Sequence, residues 1–147
     1  MHIARLFAAA SLVAALAAPA FAKTVEVKML NKGTQGGFMV FEPAFVKIAP
    51  GDSVSFVPTD PAHDVVSLPD IAPKGAQPFT GKISQPLTVK FTTEGLYGYK
   101  CVPHVSMGMV GLVQVGKAAN KTEASAAAAK LPGLARTKMI GLVATAR

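Results

Sequence analysis

Apolar and polar residues alternate in short bursts along most of the chain, and glycine or proline interrupts nearly every burst. Val25, Val27 and Met29 alternate with Glu26 and Lys28, the period of two that marks a strand buried on one face. A glycine-rich turn over residues 31–37 follows, then two apolar pieces, Met39 to Phe41 and Phe45 to Ile48, divided by Pro43. Pro50-Gly51-Asp52 has turn chemistry and leads into Ser53 to Val57, where Val54 and Phe56 point one way. Pro58 and Pro61 end that strand, and His63 stands before the next. Residues 68–84 carry Pro69, Pro73, Gly75 and Pro78 and read as irregular. Alternation returns at Leu87, Val89 and Phe91 and again at Tyr97 and Tyr99, and Val110 to Val115 closes the series. About eight strands separated by frequent turn signals predict an all-β fold, an antiparallel sandwich.

The C-terminal stretch changes character. Asn120 followed by Glu123 has the form of a capping box, and the alanine-rich run behind it predicts a helix over about residues 120–131, stopped by Pro132-Gly133. A second helix is predicted over 134–146, with Ala135, Met139, Leu142, Val143 and Ala146 on one face. Both are expected to pack on the sandwich and to carry no chemistry.

Composition bounds the remaining possibilities. Half of the 147 residues are hydrophobic, which suits one domain with a real core. Arg5, an apolar run from Leu6 to Ala18, and Ala20-Phe21-Ala22 predict a signal peptide over 1–22, cleaved after Ala22, with the domain spanning 23–147. That run is shorter than the roughly 20 residues a membrane span needs, so no membrane anchor is expected. The formal charge is +7, falling to +6 when Arg5 leaves (7 − 1). There is no tryptophan and no basic cluster, which argues against nucleic-acid binding. A moderately positive surface suits an acidic protein partner.

The candidate chemistry lies in Tyr99 to Met109, YKCVPHVSMGM. It holds the only cysteine, Cys101, then His104, Met107 and Met109. A single cysteine in an exported chain has no internal disulfide partner. With the leader removed, taking His2 with it, His63 and His104 are the remaining histidines. Thiolate, imidazole and thioether together favour copper, and two His, one Cys and a weakly bound Met make the ligand set of a blue copper site. Two rivals are a zinc or copper protein for storage or delivery and a Cys-His enzyme. The second fits poorly, because a nucleophilic pair normally draws its histidine from a distant segment. Two histidines also leave no ligands for a second copper site.

Cys-x-x-His-x-x-x-x-Met, with an upstream His after a strand, resembles the cupredoxin family. So do MLNKG, MVFEPAFVKIAPGDSVSFVPTD and YGYKCVPHVSMGMVGLVQVG. The resemblance implies a Greek-key β-sandwich with two C-terminal α-helices holding one type 1 (blue) copper ion. His63, Cys101 and His104 would be the strong ligands and Met109 the axial one. Met107 would fit the shorter ligand loop of some members. The implied role is periplasmic electron transport, a monomer and not an enzyme, giving single electrons to redox partner proteins such as nitrite reductase or another reductase of denitrification. Met39, Pro103 and Met107 would form an apolar docking patch, with Lys32, Lys74, Lys82 and Lys100 as a basic rim. The chain departs from the family at Asp64, where Asn is usual. That substitution is expected to remove the side-chain donors tying the two ligand loops together. Pro103 has no N–H to offer the Cys101 sulfur.

Overall fold

The computed structural model describes residues 21–147. The predicted leader lies outside the described residues apart from Phe21 and Ala22. Eight strands are present among the described residues: β1 (Thr24–Lys32), β2 (Phe38–Glu42), β3 (Phe45–Ile48), β4 (Ser53–Pro58), β5 (Val66–Leu68), β6 (Leu87–Lys90), β7 (Gly95–Lys100) and β8 (Val110–Val115). They form two four-stranded sheets, ordered β2-β1-β4-β6 and β3-β8-β7-β5.

The sheets are mixed rather than antiparallel throughout. β1 runs parallel to β4, with Val27 opposite Phe56, and β3 runs parallel to β8, with Val46 opposite Val113. The turn signals mark only where a strand ends. They do not say that the chain crosses to the other sheet between β2 and β3, which is what makes the later strand return alongside β1 in the same direction.

The alternation read from the sequence becomes the core. Val27 and Met29 of β1, Val54 and Phe56 of β4, Tyr97 and Tyr99 of β7, and Val113 and Val115 of β8 fill the space between the sheets. Tyr99 lies edge-on to Phe41 and Phe56, with ring centroids 4.8 and 4.9 Å away. Its cross-strand partner is Gly111, and a Cβ there would overlap the Tyr99 ring. The Tyr99 hydroxyl is buried and finds no hydrogen-bond partner among the described residues.

β8 is buried on both faces. Its outer face, Val110 and Leu112, is covered by α1 (Lys121–Ala128) and α2 (Gly133–Thr145). Ala135, Met139, Val143 and Ala146 are buried there as the helical pattern predicts, with Leu142 only partly covered. Gly133 begins α2 instead of standing between the helices. The predicted capping box does not form. Asn120 makes no cap and turns to β7, where its Oδ1 accepts from Leu96 N–H at 2.7 Å and its Nδ2 donates to Leu96 O at 3.1 Å. Leu96 lies past the end of the β5 pairing, so both its backbone groups are open and offer Asn120 two bonds, against one at the helix terminus.

Candidate metal centre

β7 ends at Lys100 and hands Cys101 to a loop that returns at Val110, the partner of Lys100 in the hairpin. The loop is closed by its own backbone. Cys101 N–H donates to Met109 O at 3.0 Å, Met109 N–H to His104 O at 3.2 Å, and His104 N–H to Cys101 O at 3.3 Å. A 3-10 turn, Val105–Met107, is capped by Gly108 in the left-handed region at φ 85°. Three positions of the motif are thus fixed relative to one another before any ligand is considered.

His63 arrives from the connection between β4 and β5. Ala62 before it has φ 69°, a conformation that strains any residue with a Cβ. The bend is held from outside: Ala62 N–H donates to Ser84 Oγ at 2.9 Å, and Ser84 N–H to His63 O at 2.8 Å. Strain of this kind persists where surrounding contacts over-determine it, and here it aims the imidazole inward.

The two loops bring three donor atoms together, all within 4.8 Å of one another. His63 Nδ1 lies 3.2 Å from His104 Nδ1, and Cys101 Sγ lies 3.3 Å from His104 Nδ1 and 3.8 Å from His63 Nδ1. His63 and Cys101 are fully buried, and His104 is half-buried. Asn31 Oδ1 accepts from His63 Nε2 at 3.0 Å, which places the ring proton on Nε2 and leaves the Nδ1 lone pair facing the cluster. Burial first, then the neighbouring His104, holds His63 below the ordinary imidazole range, so its neutral form prevails. Burial likewise pushes the Cys101 thiol up to about 11, against the backbone N–H groups of Asp64 and His104 that favour the thiolate. The His63 Nδ1 lone pair, His104 Nδ1 and the buried sulfur thus converge on one point, a donor set that a soft cation takes.

Met109 is fully buried in the same core cluster as Cys101, whereas Met107 is 43% exposed. Asp64 departs from the sequence expectation. Its carboxylate accepts from Val102 N–H at 2.7 Å, so the two loops remain tied, through an acceptor rather than an amide donor. Of the expected docking residues, Pro103 and Met107 are exposed and Met39 is partly buried against the core. Lys74 leaves the rim. It lines a hollow with Glu94, Asn120 and Glu123 beside the start of β7, at the opposite end of that strand from Cys101. Asn31 was not singled out by sequence, which reads it as the start of a glycine-rich turn; the structure places it in β1, 32 positions before His63. Nothing local to it signals the contact.

Residues 27–116 match the family described as copper binding proteins, plastocyanin/azurin family. A pseudoazurin of Paracoccus pantotrophus is 54% identical over 134 residues, covering 91% of each chain. One from Methylorubrum extorquens is 50% identical over 122 residues, covering 82% of each. The crystal structure of native pseudoazurin from Hyphomicrobium denitrificans superposes with a TM-score of 0.80 at 42% identity, over 84% of this chain and 98% of that one. With this donor set and these relatives, the chain belongs to the plastocyanin/azurin family of copper-binding proteins and, within it, to the pseudoazurins.

Proposed function

We propose that His63, Cys101 and His104 are the strong ligands of one type 1 copper ion and Met109 its weak axial ligand. On this reading the protein carries single electrons in the periplasm to a respiratory reductase, nitrite reductase above all. The observation that carries the reading is the triangle of two imidazole nitrogens and one thiol sulfur, within 4.8 Å, supplied by two separate loops of a rigid sandwich. Bound there, copper supplies a one-electron couple.

Everything else is the work of the chain. Asn31 fixes the His63 tautomer, the Asp64–Val102 bond fixes the spacing of the loops, and full burial of Cys101 and His63 keeps water out. Held ligands leave little to rearrange when the charge of the site changes. Pro103, two residues after Cys101, offers no N–H to the sulfur. The role is that of a carrier without substrate chemistry of its own. Half-buried His104 is the least buried of the three, and exposed Val102, Pro103 and Met107 lie around it in the chain. Lys32 and Lys82 stand on segments that meet His63 through Asn31 and Ser84, and Lys100 precedes Cys101. A small apolar face with a positive rim suits brief, salt-sensitive encounters with an acidic partner.

The test is an absorption spectrum of the protein with one equivalent of Cu(II), before and after ascorbate. An intense visible band that bleaches on reduction is expected from a thiolate-bound copper. A colourless protein that still holds metal would favour zinc or storage instead. Stopped-flow mixing of the reduced protein with nitrite reductase tests the partner: bleaching reversed rapidly at low salt and slowly at high salt is expected, and no electron transfer would remove that assignment.

A further inference from the structure

The C-terminal helix reaches the loop that carries Met109. A Cβ on Gly108 would stand 3.1 Å from Leu134 Cβ and 3.1 Å from Lys138 Cδ, both on α2. Gly133, at the start of the same helix, approaches the loop at Ser106, whose carbonyl oxygen would lie 3.6 Å from a Cβ there. Glycine at 108 therefore answers two demands at once, the positive φ of the turn and the closeness of the helix. Lys138 is exposed, yet the end of its aliphatic stem lies along Gly108. Ordering so long a side chain costs entropy, which apolar contact along the stem offsets.

α2 is itself held fast. Ala135, Met139, Val143 and Ala146 are buried against the outer face of β8. Past its far end, Arg147 N–H donates to Gln114 Oε1 at 3.1 Å, and Gln114 Nε2 donates back to the Arg147 carbonyl. Gln114 is fully buried in β8. The ligand loop, by contrast, exposes Val102, Pro103, Ser106 and Met107. One side of it faces solvent and the other meets a helix fixed along its length.

We infer that α2 is a brace for the ligand loop, with Leu134 and Lys138 as positioning residues that hold Gly108 and, through it, Met109. The consequence for the metal rests on the ligand assignment proposed above; the contact does not. Lys138→Ala removes stem and charge together, whereas Lys138→Met keeps an unbranched stem and removes only the charge. In the metal-free protein, the Gly108 and Met109 amides are expected to exchange with solvent several-fold faster in K138A than in wild type, and at the wild-type rate in K138M. After Cu(II) loading, K138A is expected to change the relative intensities of the visible bands and K138M to keep them. Wild-type exchange in K138A or equal acceleration in both variants would overturn the brace, whereas accelerated exchange with an unaltered K138A spectrum would overturn only its reach to the metal. A colourless wild-type protein would instead overturn the ligand assignment and leave the exchange result standing.

Discussion

The carboxylate of Asp64 accepts a hydrogen bond of 2.7 Å from the N–H of Val102, joining the residue after His63 to the residue after Cys101. The tie places a buried acidic side chain, 8% exposed, beside both loops of the site. Asp64→Asn keeps an acceptor for Val102 and removes a negative charge that favours the more positive state of the centre. A higher midpoint potential with unchanged stability is the expected outcome, read by redox titration and denaturant unfolding. Asp64→Ala leaves the Val102 N–H without its partner and is expected to cost about 1–3 kcal/mol. An Asn variant with the wild-type midpoint would show that the charge has no influence on the couple.

Asn31 acts on His63 through the ring nitrogen that faces away from Cys101. Asn31→Leu removes the acceptor at 3.0 Å and frees the imidazole to change tautomer. Outer partners of metal-binding histidines typically contribute about 10–100-fold in metal affinity. Competition with a Cu(I) chelator is expected to show a loss in that range, with little change in metal-free stability because Asn31 is itself exposed. Undiminished affinity would mean that packing alone orients His63.

Tyr99 is buried with a hydroxyl that has no partner, and burial holds its phenol protonated far above the ordinary range. Tyr99→Phe keeps the edge-on contacts with Phe41 and Phe56 and discards an unsatisfied polar atom. Stability is expected to rise, by up to about 1–3 kcal/mol. Urea unfolding of the metal-free protein measures it, and a clear loss would place a bound water or other partner at the hydroxyl.

Sequence patterns revealed what local chemistry determines. Alternation located β1, β4, β6 and β7, because successive side chains of a strand point to opposite faces, and a continuous apolar run located β8, which is buried on both faces. Cys101 and His104 were legible as a pair because three residues of spacing already fix their neighbourhood. His63 was legible through the scarcity of histidine. The parallel registers of β1 with β4 and β3 with β8 were not legible, since pairing between strands distant in sequence leaves no mark on either strand alone. Asn120 was misread for a related reason: its local motif promised a cap, but the open backbone groups of Leu96 in another part of the chain offered more bonds. The contact of Lys138 with Gly108 likewise belongs to the tertiary fold.

Asp52 secures the first strand at the end remote from the metal centre. Its carboxylate accepts from Lys23 N at 2.8 Å and from Ala49 N–H at 3.0 Å, and these bonds hold it below the usual carboxylate range. A depressed folded-state value means that the unfolded chain takes up the proton first as pH falls. The stabilisation is complete above the unfolded carboxylate range, near pH 4, and is lost as pH falls through the folded value. Thermal melts between neutral and acidic pH are expected to show a shallower acid loss in Asp52→Asn than in wild type. Parallel curves would assign the acid sensitivity to other carboxylates.

Tyr99 and Gly111 face one another across β7 and β8 with no room between them for a methyl group. The two sites therefore form one unit of variation. Any side chain at 111 demands a smaller one at 99 in the same step, and shrinking 99 first leaves a hole beside Phe41 and Phe56. Tyr99→Phe aside, which keeps the ring, drift through either single change passes a less stable protein, so loss of the ring at 99 and a side chain at 111 are expected to arise together or not at all.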